Sequence, residues 1–130
     1  MIISDLLYSG SKILKRNKIQ THQIDAELIL SNITKQQREK LIINSDEKVS
    51  KRIANHFNKL IIRRSTKEPL AYILRNKEFW SKNFFVNRNT LIPRPETELL
   101  CDIVIKLYKN KNPHILDIGT GTGCILLSVL

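Results

Sequence analysis

The residues best suited to chemistry are Asp117-Ile118-Gly119-Thr120-Gly121-Thr122-Gly123. Glycines at alternate positions let a backbone turn sharply and approach a ligand with no Cβ in the way. The apolar run His114-Ile115-Leu116-Asp117-Ile118 ahead of them predicts a short strand. The run from Cys124 onward predicts a helix whose free N–H groups and partial positive charge face the loop. Strand, glycine loop and helix in that order suit a nucleoside-like ligand at the carboxyl end of a strand. Spacing narrows the ligand. The dinucleotide fingerprint needs glycines at its first, third and sixth positions. Here they fall at the first, third and fifth, and Cys124 occupies the sixth. No Gly-Lys precedes a Ser or Thr, so the phosphate-loop pattern is excluded.

An acidic residue two positions before the first glycine, with glycines alternating after it, resembles motif I of class I methyltransferases. That resemblance implies S-adenosylmethionine as cofactor, a sulfonium cation without phosphates. Gly119, Thr120, Gly121, Thr122 and Gly123 would then pass close to it, and Asp117 would orient its ammonium end. A second segment lies about 20 residues upstream, Leu91-Ile92-Pro93-Arg94-Pro95-Glu96-Thr97-Glu98. It resembles the signature of the HemK/PrmC-type release-factor glutamine methyltransferases. Glu68-Pro69-Leu70-Ala71-Tyr72-Ile73-Leu74 and Glu78-Phe79-Trp80 resemble the same family in the same order, and Asp25-Ala26-Glu27-Leu28 is similar to its early helix. The likeness covers most of residues 25–130.

The resemblance implies methyl transfer to the side-chain amide of the glutamine in the Gly-Gly-Gln loop of peptide-chain release factors. It makes Arg94, Glu96 and Thr97 candidates for lining the cofactor pocket. The plainer reading of these three is a helix start, with Pro95 in the first turn and Glu96 favouring the dipole. Arg63 and Arg64 are candidates for docking the release factor, with a solvated helix face as the plainer alternative. An amide nitrogen is a poor nucleophile because its lone pair is delocalised, so an enzyme must hold it in line with the methyl group and hydrogen-bond it. The Asn-Pro-Pro-Tyr motif that does this in the family does not occur among the 130 residues. No catalytic residue is therefore assigned, and the chain by itself is expected to be inactive.

The framework around these residues reads as α followed by α/β. Residues 1–74 predict a helical bundle, the docking domain of the resemblance. A first helix carries Leu6, Leu7, Ile13 and Leu14 with an interruption at Gly10, and a second runs from Asp25 to Ile33. Thr34 and Gln37 have capping-box spacing, which starts a third helix carrying Leu41 and Ile42. Val49, Ile53, Phe57, Leu60 and Ile61 form a helical stripe, and Pro69 opens a short helix through Leu74. Residues 75–92 predict a β-hairpin linker, with Glu78–Ser81 and Phe84–Asn87 flanking a Lys82-Asn83 turn. Residues 93–130 predict the start of a Rossmann-like domain. Its first helix, about Glu96 to Lys109, carries Leu99, Leu100, Ile103, Val104 and Leu107 on its apolar side. A strand that runs apolar without alternation is buried on both faces of a parallel sheet. One such strand cannot make that sheet, so the polypeptide is expected to continue beyond Leu130 and this segment to be truncated.

Composition sets the remaining bounds. Hydrophobic residues make up 42% of the chain, enough for a packed core, and the formal net charge is +10. Residues 1–74 hold 14 basic and 7 acidic side chains, against 8 and 5 in residues 75–130, so the excess lies in the first half. Such a surface attracts nucleic acid, ribosomes or acidic proteins, and an RNA-methylating enzyme working near the ribosome or tRNA is the first alternative. The resemblance extends this to a fusion with a tRNA guanine methyltransferase. A non-catalytic basic binding module of the translation machinery is the alternative of another class. No apolar run approaches the roughly 20 residues of a membrane span, and the N-terminus lacks the pattern of a signal peptide. Cys101 and Cys124 lie in apolar segments and read as buried free thiols. His22, His56 and His114 show no ligand-like spacing. A cytoplasmic enzyme without metal is the expectation.

Overall fold

The structure is a computed structural model that describes residues 1–130. It divides into two compact units, Met1–Leu74 and Arg75–Leu130.

The first unit contains five helices: α1 (Ile3–Arg16), α2 (His22–Thr34), α3 (Arg38–Ile43), α4 (Lys51–Ser65) and α5 (Leu70–Leu74). Their stripes close on one core, in which Leu6, Leu14, Ile29, Leu30, Leu41, Phe57 and Ile61 are fully buried. Leu7, Ile13, Val49 and Ile53 pack against it, partly buried. α1 runs through Gly10 without a break, contrary to the interruption that glycine suggests in sequence. Gly10 instead lies directly against Phe57 and Ile61 of α4. A Cβ built on it would lie 2.6 Å from Phe57 Cζ. The helix loses about 1 kcal/mol of intrinsic propensity by having glycine there and gains room for a buried aromatic ring.

The helix ends are satisfied in different ways. The first N–H groups of α1 have no side-chain cap, but Ile3 N donates to the Glu47 carbonyl and Ser4 N to the Ser45 carbonyl. The segment before α4 thus closes over the start of α1. Ser50 caps α4 by accepting from Ile53 N at 3.3 Å. The capping box expected at Thr34 is absent. Thr34 is the last residue of α2 and donates its hydroxyl to the Leu30 carbonyl, Lys35 ends the helix in the left-handed conformation, and Gln37 precedes α3. Of the residues expected on α3, Leu41 is buried and Ile42 is exposed. Pro69 opens α5 through its carbonyl, which accepts from Tyr72 N and Ile73 N.

The second unit contains β1 (Lys77–Phe79), β2 (Lys82–Phe84), a 3-10 turn at Pro95–Thr97, α6 (Glu98–Tyr108) and α7 (Cys124–Val129). β1 and β2 form an antiparallel hairpin in which Lys77 pairs with Phe84 and Phe79 with Lys82. The turn is therefore Trp80-Ser81, two residues earlier than the expected Lys82-Asn83. Both turn residues have positive φ, 52° and 54°, a combination that matches the right-handed twist of the flanking strands. This register sets Phe79 and Phe84 diagonally on one face, edge to face with centroids 6.2 Å apart. They form a small core with Cys101 and Cys124, and Trp80 packs beside it. Residues 114–118, expected as a strand, form no ladder with any other segment. A strand exists only by pairing, and the one ladder of this unit is the β1–β2 hairpin. Leu116 and Ile118 stand exposed as a result. The apolar side of α6 is also largely uncovered: Cys101 is its one buried residue, Val104 is half-buried, and Leu99, Leu100, Ile103 and Leu107 are exposed. The Rossmann-like sheet of the sequence reading is thus not formed within these residues. No helix of the structure is long and apolar enough to cross a membrane.

Candidate functional site

The hairpin braces the elements that carry the site. Glu98, at the start of α6, accepts from Trp80 N at 3.1 Å, and Lys82 Nζ donates to the Leu127 carbonyl of α7 at 2.7 Å. Between β2 and α6 the chain turns at Asn87–Thr90, where Asn87 Oδ1 accepts from Asn89 N at 2.8 Å. It then runs extended through Leu91 and Ile92 to the buried Pro93. Arg94, with φ −95° and ψ 140°, precedes the 3-10 turn, and Thr97 N donates back to its carbonyl at 3.0 Å.

The glycine loop is held by short local contacts. Thr120 Oγ1 donates to Asp117 Oδ2 at 3.0 Å, and Gly123 N donates to the Thr120 carbonyl at 2.8 Å. Gly119, Gly121 and Gly123 all take positive φ, 79°, 55° and 75°. No heavy atom lies within 4 Å of a Cβ built on Gly119, and the only one at Gly121 is the Gly119 carbonyl oxygen at 3.9 Å. Glycine is required here by backbone conformation, which costs an ordinary L-residue about 1–2 kcal/mol, and not by crowding. The space beside the loop is open.

The two sequence motifs meet around one concavity. Ile92, Pro93, Arg94 and Thr97 form one side and Gly119, Thr120, Gly121 and Thr122 the other, closed by Cys124 and Ile125. Its volume is about 140 Å³, below the roughly 300 Å³ at which typical ligand pockets begin. A concavity of this size can enclose only part of a nucleoside-sized molecule. Glu96 is exposed and outside the lining, and Asp117 and Gly123 are not among the lining residues either. Thr122 Oγ1 is buried and has no hydrogen-bond partner. A buried hydroxyl left unpaired costs about 1–3 kcal/mol, so it is a position where a polar ligand atom would be stabilising. Sequence reasoning gave no separate role to Glu98, Cys124 and Ile125. Only the bond from Glu98 to the hairpin and the burial of Cys124 reveal how they shape the site.

Cys101 and Cys124 are free and buried within this unit. Burial, with lesser contributions from Cys124, Glu98 and Asp102, pushes the Cys101 thiol up from its ordinary value. It is an uncharged packing group. No three His, Cys, Asp or Glu side chains gather as a metal site would require.

In the helical unit the two arginines differ. Arg64 is mostly buried; its Nε donates to Asp25 Oδ2 at 2.7 Å and its Nη1 to the Glu68 carbonyl at 2.9 Å. Asp25, itself buried, thereby ties α2 to α4. Arg63 is more exposed and makes a two-pronged bond to Glu68, at 2.9 and 2.7 Å. That bond pushes its guanidinium pKa up from an already high value.

Comparison with known proteins supplies the family. The release factor glutamine methyltransferase of Leptospira interrogans is 38% identical over 129 residues, covering 98% of this chain and 45% of the relative. That of Buchnera aphidicola from Acyrthosiphon pisum is 42% identical over 118 residues, 90% of this chain and 42% of its own length. A protein of Rickettsia typhi named bifunctional methyltransferase is 35% identical over 147 aligned residues, 98% of this chain and 28% of its own. The chain thus spans less than half the length of these relatives. Residues 5–74, nearly the whole helical unit, match the model of the PrmC N-terminal domain, and the chain belongs to that family.

Proposed function

We propose that the whole protein is an S-adenosylmethionine-dependent release-factor glutamine methyltransferase. In this reading residues 1–74 are a docking domain, 75–92 a hairpin linker, and 93–130 the beginning of a Rossmann-like cofactor-binding domain. The observation that carries the cofactor reading is the meeting of the Arg94–Thr97 segment and the Gly119–Thr122 loop around one open concavity. The residues present suit the cofactor. The backbone of Gly119 and Gly121 allows close approach, Thr122 Oγ1 offers an unpaired polar atom, and Asp117 orients the loop through Thr120 while supplying a carboxylate for an ammonium group. Arg94 and Thr97 line the opposite wall, and Gly123 fixes the turn into α7. Glu96 is then a loop residue at the rim. When bound, the cofactor supplies an electrophilic methyl group on sulfur.

The release factor is proposed as substrate because the Leptospira and Buchnera relatives are release factor glutamine methyltransferases by name. Arg63 is the arginine of the pair that a docked partner can reach, and Arg64 holds the surface in shape from within. The small cofactor concavity and the lack of an Asn-Pro-Pro-Tyr motif both support methyl transfer that needs more than these 130 residues. The test uses the full-length protein with methyl-labelled S-adenosylmethionine, offered a release factor and bulk tRNA together. Label on the release factor, abolished when the glutamine of its Gly-Gly-Gln loop becomes alanine, is the expected result. Label on tRNA alone would replace this reading with RNA methylation.

A further inference from the structure

The strongest feature outside the proposed cofactor site is a trough along α1 and the start of α2. Tyr8, Lys12 and Lys15 fall on one face of α1 at helical spacing, opposite the buried Leu6, Gly10 and Leu14. Three adjoining concavities share their walls and run end to end. The first two share Tyr8, Ser11 and Gln23, and the next two share Lys15 and His22. The larger two measure about 360 and 390 Å³, and Lys18 and Gln20 line the far end.

The charge of the trough is predominantly positive: Lys12, Lys15 and Lys18 line it against one carboxylate, Glu27. No acidic residue occurs between Asp5 and Asp25, a stretch that holds Lys12, Lys15, Arg16 and Lys18. Glu27 pairs with Arg38, and Asp25, buried outside the lining, pairs with Arg64. None of the salt bridges of this unit uses the trough's lysines. At the near end, Tyr8 is 70% exposed, unusual for so large a ring, and Lys12 Nζ sits 5.7 Å from its centroid. A flat aromatic face beside a cation, followed by a row of cations, is the pairing that takes a stacked base and then its phosphates. Ser11 Oγ and His22 Nδ1, 2.7 Å apart, and the exposed Gln23 place hydrogen-bonding groups between them, where a ribose 2′-hydroxyl can both donate and accept. By residue type the lining is mostly polar and basic, with Leu7 and Ile19 as its aliphatic members.

We propose that this trough binds single-stranded RNA, a property separate from methyl transfer and independent of the cofactor reading. The test is fluorescence anisotropy of the full chain with a labelled oligouridylate of about 12 nucleotides, within the site sizes of single-strand binders. Binding should weaken with salt, and Lys12→Ala with Lys15→Ala should lower the log–log salt slope by about 1.4, two contacts at roughly 0.7 each. Tyr8→Ala should weaken binding about tenfold through loss of stacking. Lys51→Ala with Arg52→Ala, an equal charge change on the exposed start of α4, should change affinity less than about twofold if location and not net charge matters. All three variants alter exposed side chains, and unchanged circular-dichroism melts confirm that they fold. Absence of binding at low salt overturns the proposal. So does an equal loss in the α4 variant, an unchanged affinity for Tyr8→Ala, or displacement of the RNA by poly-glutamate at equal charge concentration, which would mark the trough as a surface for acidic protein.

Discussion

α4 and α6 carry comparable apolar stripes, and the two end in opposite states. In α4, Phe57, Leu60 and Ile61 are buried against α1, α2 and α5. In α6, Leu99, Leu100, Ile103 and Leu107 are exposed, and Cys101 alone is enclosed, with Phe79, Phe84 and Cys124. A stripe of helical period states only that a helix has a side to hide. Whether it is hidden depends on which partners share the unit. The helical unit supplies them from neighbours joined by short loops, so 74 residues close a core. The second unit offers a hairpin and a six-residue helix, which is enough to position the glycine loop and the Arg94–Thr97 segment but not to cover α6.

That contrast can be broken most decisively at Phe57. Truncating it to alanine should cost the helical unit about 3–5 kcal/mol, read by urea unfolding followed by helical circular dichroism. A loss below about 1 kcal/mol would mean that the core is not closed around this ring. Gly10→Ala sharpens the point because its sign is diagnostic. On an exposed helix face the change would stabilise by about 1 kcal/mol. Against Phe57 it should destabilise by about 1–3 kcal/mol through overpacking. The smallest effect belongs to Cys101 in the second unit. Its thiol pKa is raised in the folded state, so the protonated form is favoured there. The stability it contributes is complete below the ordinary thiol range near 8.5 and declines as pH rises through the folded value. Alkylation of Cys101 by iodoacetamide at pH 7 should be slow beside a free thiol and quicken on unfolding. Rapid labelling of the folded chain would show that its small core is open.

Much of this was legible in the sequence, and the failures have specific causes. The stripes of α1 and α4 are periodic and long, so those helices and most of their buried residues follow from spacing; α2 has no such one-sided stripe, and its buried Asp25 and Leu30 do not. Gly10 reads as a helix breaker because sequence shows its poor propensity and not the ring it accommodates. Thr34 has the spacing of a cap, but its hydroxyl returns to Leu30 and the chain reverses at Lys35 instead. The hairpin was foreseen and its turn misplaced, since Trp80-Ser81 lacks the Asn or Gly that usually announces two positive φ values. Residues 114–118 have the composition of a buried strand, but composition cannot supply the strands with which it would pair. The site itself rests on glycine spacing, which shows in sequence because glycine adopts the positive φ of Gly119, Gly121 and Gly123 without steric cost. The buried, unpaired hydroxyl of Thr122 and the role of Glu98 against the hairpin could not be read without coordinates.

The most direct test of the account is the affinity of the full-length protein for S-adenosylmethionine, measured calorimetrically for the natural sequence and for Asp117→Ala. A loss of about tenfold or more is expected, the size that follows removal of a charge-assisted contact, with unchanged melting of the helical unit. Equal affinity in the two proteins would contradict the assignment of the Asp117–Gly123 loop as the cofactor site.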